Sequence, residues 1–297
     1  MPEARHERHG PMSDMLVDGQ VANVEAWSGK ARGDENFPVG SHLIARRVRT
    51  HMHAYYGFAR NADDIADSPD LTPEEKVARL DIMEEVLLGK RLEGAPSAAK
   101  LRRSLNETGV TPVHATDLLV AFRQDATKQR YETFDELYNY CRYSAVPVGR
   151  YVIDLHGESH GCYRASDALC ISLQLLNHLQ DCGTDLRTLD RCYIPQTLMR
   201  HFRVDPRDLL GPKETPALRR AFITVLDRVD RLNLAAEELP YLVRSRRLRA
   251  ETMFICRLAT RLAERLAKND PLAKRVALTK MDGALSLLRA VGALVWR

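Results

Sequence analysis

At several points along this 297-residue chain a residue able to cap a helix stands directly before a proline, among them Thr72-Pro73, Thr111-Pro112, Asp205-Pro206 and Thr215-Pro216. A capping oxygen satisfies an orphan amide of the first helical turn, and proline is tolerated there because its missing N–H has no intrahelical partner. After Thr72, Glu75 falls at the capping-box spacing. Val77, Leu80, Met83, Val86 and Leu87 then recur at three- and four-residue intervals until Gly89. The same period predicts helices over 43–66, 97–107, 113–128, 134–144, 148–156, 165–180, 217–239, 242–268 and 272–294, with the longer loops at 90–96 and 187–204. Pro147 and Gly149 are expected to kink or break the helical region around them. There is no shift in composition that marks a linker and no solenoid-length repeat. The expectation is a mobile tail over 1–18, rich in His, Arg, Glu and Pro, followed by a single all-α domain over 19–297.

Charge and cysteine usage narrow the classes of partner. Lys and Arg number 44 against 40 Asp and Glu, a net of +4, too balanced for a nucleic-acid-binding surface. The basic runs Ala45-Arg-Arg-Val-Arg49 and Arg244-Ser-Arg-Arg-Leu-Arg249 read as solvated helix faces. Six cysteines show neither C-x-x-C nor zinc spacing and no secretory signal is evident, which points to reduced thiols in the cytoplasm. The most apolar stretch, Gly283 to Trp296, is too short to span a bilayer and carries Arg289. It reads as a terminal helix packed on the core, with peripheral contact to the inner face of a membrane as the competing reading.

Two acidic clusters carry the chemistry. In the first, Asp63 and Asp67 are four residues apart and so share one face of a helix. In the second, Asn177, Asp181 and Asp185 follow one another at intervals of four, within the apolar surroundings of Leu169, Ile171, Leu173, Leu175, Leu176 and Leu179. Stacked carboxylates repel one another and are costly to bury. A divalent cation offsets both penalties, and oxygen donors without His or Cys select a hard ion such as magnesium. The bland reading, exposed acidic faces with local arginine partners, suffices for the first cluster alone but not for the pair. Arg60 and Arg191 flank the clusters and suit a diphosphate, though each could equally neutralise the aspartates. Tyr55, Tyr56, Tyr138, Tyr140, Tyr143 and Tyr193 lie near them in sequence, and aromatic faces stabilise a carbocation. His178 lies about 100° round a helix from Asn177, which favours a structural role. The chain has no phosphate-loop, dinucleotide, zincin or nucleophile-elbow motif, so no nicotinamide is expected.

Phe58-Ala-Arg-x-x-Asp-Asp-Ile-Ala-Asp67 and Gln174-Leu-x-Asn-x-x-x-Asp-x-x-x-Asp185, followed by Arg191-Cys-Tyr-Ile-Pro195, resemble the paired motifs of squalene/phytoene synthases. The likeness runs from about residue 35 to the C-terminus. It implies an all-α isoprenoid-synthase bundle around a central apolar cavity, with three magnesium ions and a diphosphate between the motifs. Matched by position, Asp63, Asp67, Asn177, Asp181 and Asp185 would hold metal. Arg60, Gln174, Arg191, Tyr193, Tyr56 and Tyr143 would line the diphosphate and prenyl sites, with Asn36 and Phe37 on the substrate side.

Gly33–Ser41 and Asn177-His-Leu-Gln-Asp-Cys-Gly-x-Asp185 resemble, more finely, the bacterial hydroxysqualene synthase branch. That branch ionises presqualene diphosphate, made by a paralogue, and a water captures the cation; a reductase acts downstream. Two departures from the broader family fit. Glu35-Asn36-Phe37-Pro38 replaces a Ser/Lys phosphate-contact segment, and Gln180 stands where an arginine is common, so positive charge for a second diphosphate is reduced. The sequence does not single out the group that places the water; Asn177, Tyr56 and His178 are the candidates. The rivals are a head-to-head condensing synthase and a non-catalytic helical scaffold.

Overall fold

The computed structural model describes residues 16–17, 20–21, 23–25, 46–284 and 286. Two short strands, β1 (Leu16–Val17) and β2 (Gln20–Val21), pair antiparallel. Of the tail expected over 1–18, the described part is thus the strand at 16–17; Asn36 and Phe37 lie outside the described residues. The helices are α1 (Arg46–Asp67), α2 (Pro73–Leu87), α3 (Pro96–Thr108), α4 (Val113–Asp125), α5 (Phe134–Ser144), α6 (Val146–Leu155), α7 (Tyr163–Leu189), α8 (Gln196–Phe202), α9 (Pro216–Ala236), α10 (Leu239–Leu242) and α11 (Arg246–Lys268).

The caps explain several boundaries. Thr72 accepts from the Glu75 amide at 3.3 Å and the Glu75 carboxylate accepts from the Thr72 amide at 2.8 Å, a complete capping box. Thr215 caps α9 through the Leu218 amide. Thr111 instead accepts from the Val113 amide at 3.3 Å, and α4 begins after Pro112. Asp205 and Pro206 start a short 3-10 segment, Pro206–Leu210, rather than an α-helix.

Other expectations need correction. The break between α5 and α6 falls at Ala145 (φ −127°, ψ −45°), and Pro147 sits harmlessly in the first turn of α6. Gly149 serves close packing: a Cβ there would lie 2.5 Å from both Cys170 Sγ and Ser166 Oγ, so α6 and α7 nearly touch. The stretch 187–204, expected as loop, contains the end of α7 and all of α8. The region 217–268 divides into α9, α10 and α11, with Pro240 in the first turn of α10. The helix expected from residue 272 begins only at 280, because Thr279 and Asp282 form their own capping pair through the Thr279 and Asp282 amides. Residues 271–279 form a non-helical strap across α7: Gln180 Nε2 donates to the Val276 carbonyl at 2.5 Å, and Gly183 lies against Leu272.

Two apolar cores result. One gathers α1–α4 around Phe58, Ile65, Leu80, Met83, Leu101 and Leu119; the other gathers α5 and α7–α11 around Leu176, Phe222, Val229 and Leu262. Helix α6 joins them, since Val152 packs against both while Tyr151 stacks on Tyr55 at 4.0 Å and its hydroxyl donates to the His51 carbonyl. The two aspartate helices therefore sit in different walls. Helix α1 packs on α2, α3 and α4, and α7 packs on α5, α6, α9 and α11.

Candidate active site

Along α1 the half-buried residues Tyr56, Arg60, Asp63 and Asp67 recur at intervals of four, three and four, while Phe58, Ala62 and Ile65 between them are fully buried. This is one helical stripe. Arg60 pairs within it, 3.3 Å from Asp63 and 3.1 Å from the buried Asp64. Asp63 is surrounded by bundle atoms yet keeps 39% of its side chain open to water, so it faces a recess rather than the packed core. Burial first, then the neighbouring Asp67 carboxylate, raise its pKa above the ordinary carboxylate range, against the Arg60 guanidinium.

Helix α7 runs nine residues past its expected end, to an Asp190 cap in the left-handed region (φ 52°) that Asp tolerates. Gln174, Asn177, Asp181 and Asp185 therefore lie on one continuous helix and are half-buried, beside the buried Leu175, Leu176 and Leu179. Burial, then Asp181 and Asp67, push Asp185 up to about 7, with Arg191 opposing. That Asp67 acts on Asp185 places the two motifs within electrostatic reach although their helices belong to different walls. Asp181 is clamped from the strap: Arg275 Nε and Nη2 donate to its two oxygens at 2.8 and 3.1 Å.

Arg191 ties the walls together. Its side chain is buried; Nη1 donates to Asp67 Oδ1 at 2.6 Å, and Nη2 to the Asp125 carbonyl at 2.9 Å. The following segment lies along residues 129–132, with the Cys192 amide donating to the Gln129 carbonyl and that of Gln196 to the Tyr131 carbonyl. Tyr193 is thereby turned inward, its ring 5.7 Å from Tyr131 and from Tyr140, and 3.5 Å from the His178 ring in a stack. Tyr140 donates its hydroxyl to Asp125 Oδ2 at 3.0 Å. Asp125 is itself buried; burial pushes it up to about 7, with Asp67 adding to this while Arg191 and the Tyr140 hydroxyl oppose it. Burial pushes the His178 imidazole down to about 3, so it is neutral.

The structure thus brings Asp63, Asp67, Asp185, Arg60, Arg191 and Tyr193 to one region, with Asp181 beside them under Arg275. Tyr143 is half-buried against the same core as Tyr140. Asp125 and Arg275 were missed by sequence reasoning: a single Asp in an amphipathic helix and a single Arg in a basic chain carry no spacing signal. His178, about 100° from Asn177, lies seven residues before Asp185 and only about 20° from that residue around the helix axis.

Among the described residues, no three His, Cys, Asp or Glu side chains converge as a ready metal cage. The donor chemistry nevertheless fits a hard divalent cation. Four carboxylates and one amide stand on two stripes, and burial, with the neighbouring carboxylates adding to it, raises the pKa of Asp63 and of Asp185, a strain that a cation relieves. No helix among the described residues is long and apolar enough to cross a membrane.

Residues 30–282 match the family model for squalene/phytoene synthase. The chain is 44% identical over 273 residues to the hydroxysqualene synthase of Rhodopseudomonas palustris, covering 92% of this chain and 93% of that protein. To the hydroxysqualene synthase of Zymomonas mobilis it is 42% identical over 270 residues, covering 90% and 91%. Among solved structures, a squalene synthase from Alicyclobacillus acidocaldarius superposes with a TM-score of 0.69 at 31% identity, over 78% of this chain and 88% of that one. A dehydrosqualene synthase solved with a ligand superposes at 0.72 over 89% and 93%; at 19% identity this likeness bears on the fold alone.

Proposed function

The chain belongs to the squalene/phytoene synthase family, and from that premise we propose that it ionises presqualene diphosphate and lets one water capture the cation, giving hydroxysqualene and diphosphate. The observation that carries this reading is the pairing of two carboxylate stripes from different walls, joined through Arg191. Relatives named hydroxysqualene synthase match about nine-tenths of the chain at above 40% identity, which supports the branch. We also take residues 19–297 as one working domain, because α6 contributes to both cores.

Asp63, Asp67, Asn177, Asp181 and Asp185 would hold magnesium, which when bound neutralises the diphosphate and makes it a better leaving group. Arg60, Arg191 and Arg275 stand beside these carboxylates and orient the diphosphate oxygens, with charge placed in advance where negative charge develops. Tyr193 and Tyr140 present aromatic faces that tolerate the cation, and their packing excludes bulk water. Gln174, Tyr56 and Tyr143 bound the prenyl side. Hydration moves no hydride, so this reaction needs no nicotinamide. Its substrate must come from an enzyme that joins two prenyl diphosphates.

Head-to-head condensation of two prenyl diphosphates is the second reading, favoured by the solved squalene synthase at 31% identity. The deciding experiment incubates the protein and magnesium with presqualene, farnesyl or geranylgeranyl diphosphate and identifies products by mass spectrometry. Hydroxysqualene is expected from presqualene diphosphate alone. Presqualene diphosphate or phytoene from the simpler substrates would establish condensation instead. No turnover of any would leave a helical scaffold as the better account.

A further inference from the structure

Capturing a carbocation with one water requires a group that presents that water and a wall that keeps others away. Among the buried side-chain atoms with no hydrogen-bond partner among the described residues, two lie in the aromatic cluster beside the aspartates: His178 Nε2 and Asp125 Oδ1. Their residues are only 8% and 5% exposed. Leaving such an atom unsatisfied is costly, so two in one cluster require an explanation that packing does not supply.

Both belong to the same aromatic cluster. Tyr140 donates to the other oxygen of Asp125 at 3.0 Å, and its ring lies 6.1 Å from that of His178. Tyr193 stacks on His178 at 3.5 Å, and Tyr131 closes the cluster 5.2 Å from Tyr140. A ring that only filled space here would be served by phenylalanine; an imidazole adds two nitrogens, one donor and one acceptor when neutral. His178 also lies on the α7 face that carries Asp185, next in sequence to Asn177. Each of the two atoms offers a water a polar partner, and both are set among aromatic faces suited to a cation.

Resting on the reaction proposed above, we infer that His178, with Asp125 at the Tyr140 hydroxyl, holds the water that captures the carbocation. The water oxygen forms the new C–O bond at the cationic carbon. One of its O–H bonds breaks, and the proton passes to the diphosphate already released, the strongest base at hand. His178 acts as a hydrogen-bonding anchor; Asp125 is a positioning residue that fixes Tyr140 and the second side of the water site.

The test follows the partition of products from presqualene diphosphate and magnesium, alongside diphosphate release, for wild type, His178→Phe and His178→Asn. Phenylalanine keeps the stack and removes the nitrogens. Hydroxysqualene as a share of all products is expected to fall about tenfold, roughly one lost hydrogen bond, giving way to elimination products and alcohols from other carbons. Diphosphate release should fall much less, and asparagine should recover part of the share. If the phenylalanine variant does not fold, His178→Leu replaces it under the same criterion. An unchanged share in the folded variants overturns the water site, and so does a parallel loss of release and capture. A wild type that makes no hydroxysqualene removes the reaction itself and the water site with it, an outcome distinguishable because it needs no variant.

Discussion

Asp125 shows how much one side chain can owe to its surroundings. It is buried, its carboxylate receives the Tyr140 hydroxyl and its carbonyl receives Arg191, which in turn holds Asp67. Its pKa stands at about 7 against an ordinary 3.8, so the folded state holds this proton more tightly than the unfolded chain does. That contribution to stability is fully present below about pH 3.8 and is lost as pH rises through about 7. Asp125→Asn should flatten the pH dependence: the drop in melting temperature between pH 5.5 and pH 8, measured by calorimetry without magnesium, should shrink. An unchanged slope would mean that other groups dominate. Asp63→Ala and Asp181→Ala remove proposed metal donors from half-buried positions, where no packed core depends on them. Turnover should be lost while the circular dichroism spectrum and melting temperature stay near wild type; retained turnover would argue for the scaffold.

At the scale of elements, the contact between α6 and α7 is set by one missing methyl group. A Cβ at Gly149 would meet Cys170 Sγ and Ser166 Oγ at 2.5 Å, so Gly149→Ala must push the helices apart or force both side chains off their rotamers. The cost should be about 1–3 kcal/mol, read as a lower urea midpoint with little change in slope. Because α7 carries the second motif, turnover should fall as well. A variant as stable as wild type would show that α6 can shift freely. The length of α7 matters in the same way: its continuation to Leu189 is what lets Asp181 and Asp185 follow Asn177 on one face.

For the molecule as a whole, the strap at 271–279 brings residue 275 onto residue 181, ninety-four positions earlier in the chain. Arg275 clamps both oxygens of Asp181 and is half-exposed, so it can turn from the carboxylate to a phosphate oxygen. Arg275→Ala is expected to raise KM for the diphosphate substrate on the order of tenfold, with a smaller change in kcat. Loss confined to kcat would place Arg275 in the transition state alone, and no change in either would confine it to the apoprotein.

Helix content, most caps and the two carboxylate stripes were legible in the sequence because each depends on residues within one or two turns of one another. Thr72 and Glu75 find each other whatever the rest of the chain does, and Asp63 and Asp67 share a face as soon as α1 forms. The misreadings fall where long-range packing decides. Periodicity ran a helix through 272–279, but the hydrogen bond from Gln180 to Val276 and the capping pair at Thr279 and Asp282 hold that stretch out of a helix. Spacing offered no reason to join Asp125 to Tyr140, Arg191 to Asp67 or Arg275 to Asp181. Each of these pairs spans separate elements, and its energy depends on desolvation and charge that exist only once the walls have come together. The sequence by itself determined that two acidic faces would form; the tertiary structure decided that they share one region, which arginines tie them, and that His178 and Asp125 end there with atoms left to bind something else.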